Sequence, residues 1–79
     1  MPIGLQNAVG VAQEHYRKMC GGIYFTRWIV DDATEDLSKG CYVVRCEVKC
    51  LADPNSHKHE VWINIDTGEI EHEHRIKDG

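Results

Sequence analysis

Val61-Trp62-Ile63-Asn64-Ile65-Asp66-Thr67-Gly68-Glu69-Ile70-Glu71-His72-Glu73-His74-Arg75-Ile76 is the stretch whose reading decides the fold. A run rich in β-branched and aromatic residues enters the turn Asp66-Thr67-Gly68-Glu69, and a second run leaves it. Two strand-like runs joined by a short glycine-containing turn predict a β-hairpin. Val61, Ile63 and Ile65 share one parity, and Ile70, His72, His74 and Ile76 share the other. A loop of two or four residues puts both sets on one face, whereas a three-residue loop pairs the isoleucines with Glu69, Glu71 and Glu73. The expectation is therefore that His72 and His74 stand on the core side, toward the sheet edge. Trp62, with the parity of Asn64 and Glu71, is expected on the face away from the core.

Outward from the hairpin, Asp53-Pro54-Asn55-Ser56 reads as a turn, because Pro presets φ and the Asp, Asn and Ser side chains cap local backbone groups. Before it, Tyr42, Val44, Cys46, Val48 and Cys50 alternate with Val43, Arg45, Glu47 and Lys49, the pattern of a half-buried antiparallel strand. Residues 23–30, Ile-Tyr-Phe-Thr-Arg-Trp-Ile-Val, read as a strand with apolar residues at both parities, so both of its faces are expected to be partly covered. The acidic stretch from Asp31 to Gly40 reads as a long connection with a short helical turn around Thr34 to Leu37. At the N-terminus, Leu5, Ala8, Val9, Ala12, Tyr16, Met19 and Cys20 recur at helical spacing, and Gly21-Gly22 follows as a stop signal. Gly10 weakens that helix by about 1 kcal/mol relative to Ala, for which close approach to a sheet would account.

The elements are one helix at about 4–20 and strands at about 23–31, 41–51, 58–66 and 69–76, in one domain spanning residues 1–79. Each has an apolar face to bury, which predicts an α+β, two-layer fold with an N-terminal helix packed on a four-stranded antiparallel sheet. This order, with the phrase Val61-Trp62-Ile63-Asn64-Ile65-Asp66-Thr67-Gly68-Glu69-Ile70, resembles the PepSY-like family. The resemblance implies a helix followed by antiparallel strands, in a family whose members are mostly exported or membrane-attached and are thought to restrain peptidases or bind partners. It transfers no catalytic residue, because the shared residues are structural.

A 79-residue chain buries only about 60% of its unfolded surface, so its core is small and a deep catalytic cleft would hollow it out. A net charge of −4, from 13 acidic residues against 9 Lys and Arg, argues against a nucleic-acid partner, which demands a concentrated positive face. No segment approaches the roughly 20 apolar residues of a membrane span, and the N-terminus reads without a secretory signal, so a cytoplasmic location is expected. In that setting Cys20, Cys41, Cys46 and Cys50 read as reduced thiols, with Cys46 and Cys50 packed as small hydrophobes.

His57, His59, His72 and His74 form two His-x-His pairs in strands expected to be neighbours. In the odd-sum register His59 lies opposite Ile76 and His74 opposite Val61, so the pairs are displaced from one another. Imidazole binds zinc, copper or nickel, and Glu60, Glu71 and Glu73 are at hand to complete a site; alternating Glu and His also simply solvates an edge strand. Cys41, Cys46 and Cys50 differ in parity and spread along one strand, which suits packing rather than a metal site. A Cys20–histidine nucleophilic pair has no further support in the sequence. Asp31, Asp32, Glu35 and Asp36 lack the spacing of a calcium loop, and Asp66-Thr67-Gly68 reads as a turn rather than a protease triplet. A Trp exposed on a sheet face is a frequent interface element, and Trp62, Trp28 and Val43 are the candidate partner-binding residues. The sequence thus points to a small non-enzymatic binding or regulatory module, without a cofactor, that associates through its open sheet face, with a protein partner or as a homodimer. The alternative is a zinc-, copper- or nickel-binding protein using the four histidines.

Overall fold

The structure, a computed structural model, describes residues 4–20, 25–51 and 54–76. The Gly21-Gly22 stop signal, residues 23–24 of the expected first strand and Asp53 of the expected turn lie outside the described residues. Helix α1 (Leu5–Met19) is followed by strands β1 (Phe25–Asp36), β2 (Cys41–Cys50), β3 (His57–Asn64) and β4 (Ile70–Arg75). The strands form one antiparallel sheet in the order β1-β2-β3-β4, and α1 packs on one face of it, which is the α+β two-layer arrangement expected from the alternation.

The helix meets the sheet along a narrow stripe, Ala8, Ala12 and Tyr16, each with no exposed surface. Their i, i+4, i+8 spacing aligns them on one line, and the two alanines let the backbone come close. Leu5 and Met19, expected in the apolar face, are 39% and 56% exposed. The strands answer with Tyr42, Val44, Cys46 and Val48 from β2 and Val61 and Ile63 from β3. The close-approach explanation for Gly10 is corrected: it is exposed, and a Cβ built there meets nothing within 4 Å.

Two further corrections concern the middle of the chain. The acidic stretch after Asp31 is not a connection with a helical turn. β1 runs on to Asp36, with Ala33, Thr34, Glu35 and Asp36 paired to Val44, Val43, Tyr42 and Cys41. The register shifts between Val30 and Asp32, leaving Asp31 as the extra residue of a bulge. Because β1 is an edge strand, its carboxylates remain solvated and oppose edge-to-edge pairing. The link to β2 is then short. The Asp36 carboxylate accepts hydrogen bonds from Ser38 Oγ (2.6 Å), Ser38 N (3.1 Å) and Lys39 Nζ (2.9 Å), and Gly40 supplies the positive φ of 66°. The serine and lysine donors hold that carboxyl at about 2, well below its ordinary value.

The cysteines are also not all reduced. Cys20, just beyond α1, is disulfide-bonded to Cys50 at the end of β2, with Cα atoms 5.4 Å apart, inside the range that disulfide geometry allows. Cys41 and Cys46 are free and buried. The bridge closes a segment with a sequence separation of 30, for which loop-closure entropy gives about 3–4 kcal/mol.

In urea denaturation the oxidised chain is expected to exceed the Cys20→Ser/Cys50→Ser variant by that amount, and thiol titration of the unfolded, unreduced chain should find two thiols rather than four. Gly10→Ala is expected to raise stability by about 0.5–1 kcal/mol, since the site has helical φ and open space; a loss instead would place Gly10 against the sheet.

Candidate functional site

The hairpin carries a register shift that decides which residues meet. Its loop is Ile65-Asp66-Thr67-Gly68, closed by Asn64 N donating to Glu69 O at 2.8 Å. Asn64 Oδ1 accepts from the amides of Asp66 (2.8 Å) and Thr67 (2.9 Å), and Gly68 adopts φ 76°. This four-residue loop pairs Ile63 with Ile70, as the isoleucine parity requires. The next pair is Trp62 with His72, so Glu71 is the extra residue of a bulge, and Asn64 Nδ2 donates to its carboxylate at 3.0 Å. Beyond the bulge the parity of β4 is reversed. Glu73 turns toward the helix, while His72 and His74 fall on the face with Trp62 and Glu60. The expectation that His72 and His74 stand on the core side is thereby corrected, and so is the expected register: His59 lies opposite Arg75 rather than Ile76, and His74 opposite Glu60 rather than Val61.

On the helix side the inversion builds a polar cluster at the core boundary. Tyr16 Oη donates to Glu73 Oε1 at 3.2 Å, and His59 Nδ1 lies 3.0 Å from the same oxygen. The Tyr16 and His59 rings sit 4.8 Å apart, and the Trp28 ring lies tilted against Tyr16 at 6.0 Å. Burial, reinforced by the Glu73 charge, pushes the Tyr16 phenol far above its ordinary value. For His59 two influences oppose: the contact with Glu73 favours imidazolium, but burial outweighs it and lowers the pKa. His59 is therefore neutral at neutral pH, with Nδ1–H donating to Glu73. The Cys46 thiol is pushed up to about 12, mainly by burial, and burial also raises Cys41. Neither free thiol suits a nucleophile, and Cys20 is consumed by the disulfide, which removes the Cys20–histidine pair.

On the open face a lattice of ion pairs surrounds Trp62. Arg45 Nε lies 3.2 Å from Glu60 and its Nη1 lies 3.6 Å from Asp32, while Arg27 pairs with Glu47 at 3.5 Å. The Trp62 indole N–H donates to Glu60 Oε1 at 2.7 Å, Lys39 Nζ lies 5.1 Å from the ring centroid, and the His72 ring packs at 4.7 Å. The Glu60 carboxyl is lowered first by the Trp62 hydrogen bond and then by Arg45, against its burial. Val43, directly across from Trp62, is 7% exposed.

Of the predicted partner-binding residues, Trp62 and Val43 are brought together on the open face, but the expected exposed patch is corrected: Val43 is buried and Trp62 is half-buried. Trp28 is not with them; it pairs with Val48 and packs against the core on the helix side. The four histidines do not converge. His57 and His59 share the parity of Val61 on the helix side, and His72 and His74 stand on the other face. Among the described residues no three His, Cys, Asp or Glu side chains form a metal-holding group. Comparison with protein-family models, curated proteins and solved structures returned no match. Tyr16 and Asn64 are the residues that sequence reasoning passed over: the first reads as a helix-face aromatic, the second as one more strand residue.

Because the folded state holds His59 neutral, the unfolded chain takes up the proton first as pH falls. Stability is therefore expected to be complete above the ordinary imidazole value of about 6.5 and to decline below it. Proton NMR titration is expected to place the His59 midpoint below that of a free imidazole. A raised midpoint, with stability increasing on mild acidification, would instead make His59–Glu73 a charged pair.

Proposed function

We propose that this protein is a small, non-enzymatic binding module that associates through the open sheet face, with a second copy of itself as the partner. The carrying observation is Trp62, held on that face by Glu60, Lys39 and His72. An aromatic residue already fixed in one orientation loses little conformational freedom on binding, and interface energy concentrates in Trp, Tyr and Arg. Arg45 stands beside it, two residues along the neighbouring strand from Val43. The surrounding charges alternate in sign, so a two-fold copy of the face can set acids against bases and reject partners of uniform charge. The arginine ends of these pairs stand in solvent while the Glu47 and Glu60 carboxylates are largely covered, so the guanidinium groups are the part of the lattice a partner meets.

The Cys20–Cys50 bridge favours an oxidising compartment over the cytoplasm expected from the sequence, because cytosolic reductants keep thiols reduced. Such a compartment, and a role in partner binding, agree with what the PepSY-like resemblance implies. No described helix is long and apolar enough to cross a membrane.

Size-exclusion chromatography with light scattering is expected to give a dimer mass that dissociates on dilution. Trp62→Ala should weaken the dimer by about 2 kcal/mol or more, roughly thirtyfold, with unchanged circular dichroism. Trp28→Phe, on the opposite face, should leave it intact. A monomer at every concentration, or a dimer indifferent to Trp62, would overturn the reading.

A further inference from the structure

We propose that His72 and His74 form a two-imidazole chelate for a divalent transition-metal ion of the copper(II) or nickel(II) class, on the open face of β4. Residues i and i+2 of a strand project to the same side, and the bulge at Glu71 makes that side the one away from the helix. His72 Nε2 lies 2.9 Å from His74 Nδ1. An ion about 2.0–2.1 Å from each of two imidazole nitrogens holds them about 2.9 Å apart at a right angle and about 3.4 Å apart at a tetrahedral angle. That separation is the length of the hydrogen bond the pair now makes; it places both nitrogens within the span that one ion bridges, and two imidazoles with the remaining positions left to water suit copper(II) or nickel(II).

The facing nitrogens now share one hydrogen bond, so in the neutral pair one of them carries the proton. When that proton occupies the other nitrogen of the same ring, both facing nitrogens present lone pairs. Rotation of each ring aims them at a common point, and no net proton is released. Both histidines are exposed, so an ion reaches them from solvent and water fills its remaining positions. The surroundings order the pair: the Trp62 ring packs on His72, and Glu60, whose carboxylate takes Trp62 and Arg45, occupies the strand position opposite His74. With no third ligand grouped beside them among the described residues, the pair suits an ion with open positions rather than closed structural zinc. The chelate lies within one chain but on the face proposed for self-association, so it forms in the monomer and the titration is run at concentrations where the chain is monomeric.

Trp62 makes the test internal, because copper(II) and nickel(II) quench a nearby indole and the chain has only two Trp. The tag-free Trp28→Phe chain, titrated with copper(II) sulfate and with nickel(II) chloride, is expected to show saturable quenching at micromolar metal with one ion per chain. His72→Ala or His74→Ala should weaken binding about tenfold or more, no less than loss of an outer-shell partner does, and His57→Ala should leave it unchanged. Electron paramagnetic resonance of the copper-loaded, otherwise unsubstituted chain should show coupling to two imidazole nitrogens, and circular dichroism confirms that each variant is folded. The proposal is overturned by quenching that does not saturate, by folded His72 and His74 variants that bind like the parent, or by an equal loss in His57→Ala.

Discussion

One extra residue in β4 organises both faces of the sheet. With Ile63 on Ile70 and Trp62 on His72, Glu71 is left over, and every side chain beyond it changes sides. Without the bulge, His72 and His74 would press against the helix and Glu73 would point to solvent. With it, Glu73 reaches Tyr16 and His59, and the imidazoles join Trp62. Asn64 holds the device in place from both ends of its amide, its oxygen on the loop amides and its nitrogen on the Glu71 carboxylate. Bulges that re-aim side chains in this way are common beside functional residues.

The rest of the molecule is economical. A chain of this size has few large side chains to bury, and Tyr16, Ile63, Val44, Val61 and Cys46 are the largest fully enclosed. Ala8 and Ala12 bring the helix close, and the Cys20–Cys50 bridge fastens its C-terminal end to β2. A covalent tie of this kind is a usual supplement where a small core supplies only a few kcal/mol. Tyr16 ends the alanine stripe with a hydroxyl, and Glu73 comes inward to receive it.

Periodicity made the helix, the alternation of β2 and the two-layer architecture legible, because each reports one buried face of a regular element. The parity argument also held at the hairpin tip, where Ile63 meets Ile70. It failed one residue later, since a bulge leaves no mark on the hydrophobic pattern when the residues beyond it are Glu and His. The strand through Asp32 to Asp36 was hidden for a related reason: acidic residues disfavour strands on average, yet an edge strand tolerates them when its partner, here Cys41 to Val44, is buried and must be paired. The disulfide was illegible because Cys20 and Cys50 lie far apart in sequence, and spacing alone does not fix which cysteines meet. Trp62 and Val43 were placed together on parity alone, whereas Trp28 could not be assigned a face from a strand that is apolar at both parities.

The open face thus combines a fixed indole, a cross-strand lattice of opposite charges and a hydrogen-bonded pair of imidazoles, the last placed there by the register beyond Glu71. Cross-strand nuclear Overhauser contacts between the backbones and rings of β3 and β4 test that register most directly. The expected result is contact of Trp62 with His72 and of Val61 with Glu73, with the Glu73 side chain near the Tyr16 ring. Contacts of Val61 with His72 and of His59 with His74 would mean a ladder unbroken from the Ile63–Ile70 pair, and would contradict both the Tyr16–His59–Glu73 cluster and the histidine pair beside Trp62.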